Sequence, residues 1–408
     1  MKIDAGDTAW VLASAALVML MTPALGFFYG GLVRRKNALS TIMHSFFILC
    51  LISVQWVLWG YSLAFGPDHG HFIGGLEWFG LNHVGLTPNP DYAPTIPHQA
   101  YMVFQMMFAV ITPALITGAF AERKRFKAFV IFSLLWATLI YDPIAHWVWS
   151  PHGWLHQLGA LDFAGGTVVH ISSGVSALVA ALVLGRRIGF GQEKMEPHDN
   201  TMMVLGAGLL WFGWFGFNAG SALSAGALAT SAFVVTNTGA AMGALTWMTL
   251  SWWRSGQPSV VGAAAGAVAG LVAITPASGF VNVMGAIVIG FGAGCICYLC
   301  IHVRERVKVD DALDVWAVHG MGGTWGAVAT GLFATVAINS AGANGLVYGN
   351  PKQALVQLVA VAASWIWAGG GTFVLLKAIN LFVPLRVAED EEELGLDLAQ
   401  HGEPAYVS

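Results

Sequence analysis

The chain has 408 residues, of which 56% are hydrophobic and only 10% charged, with a formal net charge of −4. Soluble domains carry about a quarter charged residues, so a water-exposed globule is excluded. The slightly acidic balance excludes nucleic acid as a partner, and a mean hydropathy of +0.67 points to the lipid bilayer.

Apolar runs close to the roughly 20 residues that cross a hydrocarbon core of about 30 Å predict the spans. The first covers 7–31 and leads straight into Arg34, Arg35 and Lys36, so it is read as a retained span and not a cleaved leader. The second, 40–65, stops at Gly66-Pro67. The third, 99–120, carries Phe104 and Phe108 and ends before the basic run ERKRFK; the fourth, 128–149, closes on Trp147 and Trp149. The fifth, 163–184, opens on DFAGGTVVHISSG, where Asp162 precedes a greasy helix holding His170 and then Gly174. A joint rich in turn residues from Gly185 to Pro197 leads to the sixth, 201–217, which runs into the aromatic stretch WFGWFGFNAGS ending at Ser221. The seventh, eighth and ninth cover 227–251, 258–275 and 281–302. Small residues crowd VGAAAGAVAGL and GFGAGC, as close helix packing in lipid requires. Cys295, Cys297 and Cys300 share the ninth span but no common helix face, which favours packing over metal or redox chemistry. The tenth, 312–335, carries Asp314, His319 and Gly323, and the eleventh covers 354–383.

The fold expected is an all-α membrane protein of eleven transmembrane helices. If the spans alternate, fifteen of the 18 Lys and Arg residues fall on one side. Positive charge collects in cytoplasmic loops. The N-terminus is therefore expected outside, the C-terminus in the cytoplasm, and the protein in the cell inner membrane as a multi-pass chain. An odd number of spans inverts whatever repeats across it, so a five-plus-five inverted repeat is expected, with halves at about 7–184 and 201–335. Val169-His170 with Gly174 and Val318-His319 with Gly323 fit that repeat. The last helix, 354–383, completes a transmembrane domain over 1–383. The acidic tail, 384–408, is read either as a solvated end or as a regulatory segment docked on the cytoplasmic face.

Most of the 13 histidines fall in loops or near span ends. His170 and His319 lie deeper, about 10 to 12 Å from their starting face at about 1.5 Å per residue. A lone buried histidine is usually a structural hydrogen bond, but two on related helices favour a pair that shares and passes a proton without resting a full charge in lipid. A metal site lacks a third ligand, because Asp162 and Asp314 read as groups satisfying N–H donors at helix starts; no cofactor is expected. No G-x-S-x-G elbow occurs, so the chain is not expected to be an enzyme. The aromatic clusters suit core packing or an interfacial belt. Their ring faces, at about 0.5 to 2 kcal/mol per cation, together with the Ser221 hydroxyl, also suit an N–H cation.

The motifs FYGGLVRRKN, FQMMFA, ITGAFAER, DFAGGTVVHISSGVSALVAALVLGRR, WFGWFGFNAGS and DVWAVHG occur in this order. Through them the chain resembles the ammonium transporter (Amt/Mep/Rh) family over nearly its whole length. The resemblance implies an eleven-helix protomer with its own pore, assembled as a homotrimer. It implies that His170 and His319 are the twin pore histidines, and that Phe108, Trp149 and Ser221 form an outer ammonium-recruitment site. Phe108 and Phe217 match the stacked gate beneath it, and Asp162 matches an aspartate that supports the site without touching substrate. The segment WSPHGWLHQLGALD is one residue longer than the family's pattern, so Trp149 is carried over on the preceding HWVW. The tail LGLDLAQHGEPAY implies regulation by a PII signal-transduction protein that plugs the cytoplasmic exit. The expected activity is capture of ammonium, its deprotonation, passage of ammonia and relay of the proton by the histidine pair, for net electrogenic uptake. The alternatives are a passive ammonia gas channel and an ammonium sensor on the same fold; a sensor would carry a longer signalling domain than residues 384–408 supply.

Overall fold

The computed structural model describes residues 2–407. In lipid every backbone N–H and C=O must be satisfied within its own segment, which leaves helices as the solution for these apolar runs. In chain order they are α1 (Ala5–Leu32), α2 (Arg35–Phe65), α3 (His98–Phe120), α4 (126–149), α5 (Gly166–Leu184) and α6 (Asn200–Gly220). There follow α7 (Ala227–Ser255), α8 (Val260–Ile274), α9 (Val283–Arg306), α10 (316–333), α11 (Pro351–Asn380) and a short tail helix α12 (Glu389–Leu394). Among the described residues nine of these are long and apolar enough to cross a membrane; α8, with 15 residues, and α10 are shorter.

Several starts are written in the sequence as capping residues. Asp4, Asp199, Ser259 and Asn282 each accept a backbone N–H three residues on, opening α1, α6, α8 and α9. Two starts fall later than expected. Helix α5 begins at Gly166 because Gly165 takes φ 113, and α10 begins near 316 because Asp314 takes φ 58, a left-handed turn that ends the preceding loop.

Glycine sets the spacing of the bundle. A β-carbon on Gly206 would meet the Phe28 backbone at 2.4 Å, on Gly213 the Met21 side chain at 2.3 Å and on Gly220 the Ser14 side chain at 2.5 Å, so α6 lies flush along α1. The same device joins α7, α8 and α9, where Gly243 faces Gly266 and Gly270, and Gly290 faces Gly239. Large apolar side chains left on the perimeter, such as Leu205, Phe212, Phe291, Leu355 and Ile366, suit contact with lipid.

The two ends of the bundle differ. One carries a small hairpin, β1 (Asp68–His69) against β2 (Ile73–Gly74) in antiparallel register, which Asp68 fastens to His146 of α4 at 2.9 Å. The other collects basic clusters into a belt of ion pairs. Arg34 meets Glu122 at 2.7 Å, Arg187 meets Glu122 at 3.4 Å, and Arg187 meets Asp310 at 2.8 Å. Burial alone would raise the Asp310 carboxyl, but its bonds to Arg187 and the charge of Arg123 hold it below the usual range.

The acidic tail docks on this same end and is not a free solvated strand. Asp397 accepts the backbone N–H of Leu39 at 3.1 Å and of Ser40 at 2.7 Å, at the start of α2. Glu392 is buried, accepting from Ile188 N at 2.8 Å and pairing with Arg386 at 2.7 Å.

Candidate functional site

Helices α5 and α10 both begin with a π-helical turn, Gly166–Ile171 and Trp316–Met321, and each turn carries one of the two deep histidines. Such turns are rare and break the regular i→i+4 ladder locally. His170 and His319 are 1% and 4% exposed, and their Nδ1 atoms stand 3.2 Å apart with ring centres at 5.3 Å. Two facing nitrogens can share only one hydrogen, so one ring donates and the other accepts. The His170 Nε2 has no protein partner among the described residues.

The glycines four residues after each histidine explain how the rings come this close. A β-carbon on Gly174 would lie 2.0 Å from Gly320 N, and one on Gly323 would lie 2.9 Å from the His170 β-carbon. The two helices therefore cross backbone to backbone at the pair. Trp214 lies almost parallel to His170, 24° apart with centres at 5.5 Å, and its indole N–H donates to Thr275 Oγ1 at 2.9 Å. Neither Trp214 nor Thr275 stands out in the sequence, since an aromatic and a threonine inside apolar helices read as ordinary packing.

Above the pair the rings form a column. Phe217 is 6.0 Å from His170, Phe108 is 4.3 Å from Phe217, and Trp149 meets Phe108 edge-on at 5.6 Å. Phe108 and Phe217 are buried, each 1% exposed, while Trp149 and Ser221 are half-buried toward the hairpin end. The Ser221 hydroxyl donates to Phe217 O at 2.8 Å, so its lone pairs remain open to accept from an N–H cation. Trp149 Nε1 donates to Asp162 O at 3.0 Å.

Asp162 performs two tasks at once. Besides that carbonyl, its carboxylate accepts N–H groups from Gly165 at 2.8 Å, Gly166 at 2.6 Å, Thr167 at 2.7 Å and Val168 at 3.3 Å, and the Thr167 hydroxyl as well. It thus fixes the turn that carries His170 and the indole of Trp149 together. The matching role expected of Asp314 falls instead to Asp311. Asp311 precedes His319 by the same eight residues that separate Asp162 from His170, and it accepts Trp316 N at 2.7 Å. Asp314 lies too close to the turn and at positive φ, so its carboxylate swings away to Arg304, 2.6 Å off. Spacing counted back from each histidine is the signal that identifies Asp311.

Around and below the rings runs a narrow chamber walled by Met21, Leu25, Ile111, Leu115 and Val268. His319, Phe28 and Val268 also wall a vestibule of about 950 Å³ at the basic end, edged by Arg186, Lys308 and Asp314. Among the described residues no three His, Cys, Asp or Glu converge as a metal site would need. The arrangement is an aromatic rim with a hydroxyl, a two-ring constriction, a narrow apolar chamber with a paired imidazole, and a wide charged mouth.

Comparison with known proteins covers the whole of this arrangement. The model of the Ammonium Transporter Family matches residues 9–406. The chain is 54% identical to the ammonium transporter of Bacillus subtilis, over 98% of both chains. It is 50% identical to ammonium transporter Amt1 of Archaeoglobus fulgidus, over 98% of this chain and 99% of that one. Among solved structures, Candida albicans Mep2 superposes with a TM-score of 0.91 at 40% identity, over 99% of this chain and 90% of that one. A sensor Amt protein gives 0.90 at 29% identity, over 97% and 98%.

Proposed function

This chain belongs to the Ammonium Transporter Family, and on that premise we propose that it captures ammonium, strips its proton and conducts ammonia while His170 and His319 relay the proton. It is a multi-pass membrane transporter and not an enzyme. The observation that carries the proposal is the imidazole pair at 3.2 Å inside an apolar bore, beneath a stacked aromatic constriction.

The physical need for such a route is plain. An ion at the bilayer centre costs about 2.5 to 3.5 kcal/mol on insertion scales and more in simulations, whereas neutral ammonia does not bear that cost. Trp149, Phe108 and the open lone pairs of Ser221 offer a cation a site where ring faces and one acceptor replace its lost water. The Phe108–Phe217 stack forms the gate and admits one small molecule at a time. Below it, among the described residues, no Asp, Glu, Lys or Arg lines the narrow chamber, and the shared hydrogen between the rings gives the proton a separate path. Sodium and potassium carry no proton to surrender and are refused.

On this reading all eleven helices span, with the 15-residue α8 and the glycine-rich α10 included. The N-terminus faces outward and the C-terminus the cytoplasm, which the gathering of Arg34, Arg187, Arg304 and Arg386 at one end supports. The transmembrane domain covers 1–383, with inverted halves at about 7–184 and 201–335, and 384–408 is the regulatory tail. The paired π-turns with an aspartate eight residues before each histidine support the repeat. The protein works as a homotrimer in the cell inner membrane, and the vestibule at the basic end is where a PII protein would plug.

Charge movement separates this reading from a passive gas channel. Proteoliposomes on a solid-supported membrane should give a current on an ammonium step and none on a potassium step. Ammonia flux without current would assign a passive channel, and neither flux nor current would favour a sensor, as one structural neighbour is named.

A further inference from the structure

Lys124 stands apart from the other basic residues of the tail-bearing end. It lies in the loop 121–125 between α3 and α4, its side chain is fully buried, and its Nζ has no hydrogen-bond partner among the described residues. Instead Nζ sits 4.2 Å from the ring centre of Phe120 and 4.1 Å from that of Phe132, two rings that meet edge-on.

Among the described residues no carboxylate pairs with the Lys124 amine. Within the loop, Arg123 directs its guanidinium to the carbonyls of Ala119, Ala121 and Asp310, and Glu122 is committed to Arg34 and Arg187. Helix α2 offers His44, whose ring meets Phe120 edge-on with centres 6.2 Å apart and which brings no negative charge. Helix α4 offers only rings, and Arg125 before it pairs with Glu391. The tail offers Arg386, already paired with Glu392, and His401 beyond Phe126. Ring faces attract a cation weakly, whereas an unpaired buried ammonium is costly. Burial therefore pushes the Lys124 amine down to about 7, and the charge of Arg123 adds to the push.

The tail crosses this loop directly. Arg125 N donates to Leu385 O at 2.9 Å and Val387 N donates to Arg123 O at 3.1 Å, so Lys124 and Arg386 face each other on a single antiparallel rung. We propose that Lys124 is a pH-sensing latch for the C-terminal tail. As a neutral amine it fills the aromatic slot beneath residues 385–387; as an ammonium it leaves the slot and loosens that strap. The compartment sensed is the cytoplasm on the orientation proposed above.

The sign follows from linkage. The latched state binds its proton only near pH 7, while a released, solvated lysine binds it at its ordinary value of 10.5. Between those values acidification favours release by about tenfold per pH unit, and below the lower one the dependence vanishes. Cytoplasmic acidification thus undocks the tail.

Hydrogen exchange of the Arg125 and Val387 amides in the full-length protein tests this, in lipid nanodiscs without ammonium. Wild-type rates are divided by those of Lys124→Met at matched pH, so intrinsic exchange cancels. The ratio should climb about tenfold per unit as pH falls from about 9 toward 7 and then level off; a ratio constant across the range overturns the latch. Should Lys124→Met not fold, Lys124→Arg serves, since its permanent charge should leave the strap loosened at every pH. Protection in that variant equal to wild type at high pH also overturns the latch. Nanodiscs expose both faces and hold no substrate, so this outcome is independent of the orientation and of the transport reading.

Discussion

At the scale of single residues, the outer site turns on one hydroxyl. Ser221 spends its hydrogen on Phe217 O, which leaves its lone pairs free to accept from an N–H donor. Ser221→Ala should therefore weaken apparent ammonium affinity by about fivefold, the worth of one hydrogen bond near 1 kcal/mol, and leave maximal flux nearly intact. Concentration-dependent uptake into proteoliposomes measures both; an unchanged affinity would remove Ser221 from the recruitment site. His170, His319 and Ser221 stand out in the sequence because ionisable and hydroxyl groups are conspicuous in an apolar chain, whereas Phe108, Phe217 and Trp149 are singled out by the motifs around them; the structure brings the five rings into one column. Asp311 is easily passed over among the three aspartates, Asp310, Asp311 and Asp314, that precede α10; the eight-residue spacing back from His319 singles it out, and the backbone turn at Asp314 accounts for which carboxylate reaches the N–H of Trp316. Lys124 was counted among a basic cluster, since sequence alone does not show that its neighbours Phe120 and Phe132 close over it.

At the scale of elements, the crossing of α5 and α10 sets the distance between the imidazoles. Gly174 packs on Gly320 with no room for a side chain, and because its neighbour is backbone nothing can yield cheaply. Gly174→Ala should wedge the helices apart, cost about 1 to 3 kcal/mol as an overpacking change, and lower ammonium-driven current at least tenfold while Ser221-dependent affinity persists. Current and thermal melting of the same preparation check this. Full current in a stably folded variant would show that the glycine contact does not set the pair. The long helices were readable from runs of apolar residues and their capping Asp, Asn and Ser. The π-turns at 166–171 and 316–321 were not, because an extra residue in a turn leaves no mark on composition; it shows only in where α5 and α10 begin.

At the scale of the whole molecule, one end gathers charge and the other gathers aromatics, with a narrow apolar chamber between them. The sorting of Lys and Arg to one side of alternating spans anticipated the ion-pair belt of Arg34, Glu122, Arg187 and Asp310. Docking of the tail was left open by its composition, because acidic segments are usually solvated. The contacts that decide it are buried Glu392 and the N–H groups of Leu39 and Ser40 held by Asp397, far away in the chain. On the proposed reading, ammonium gives up its proton and the two rings relay it. The most direct measurement is current on a solid-supported membrane from the double variant His170→Leu, His319→Leu, with wild type alongside and ammonium or potassium as the driving ion. The relay predicts loss of the ammonium-evoked current in the double variant; an undiminished current that still refuses potassium would contradict it.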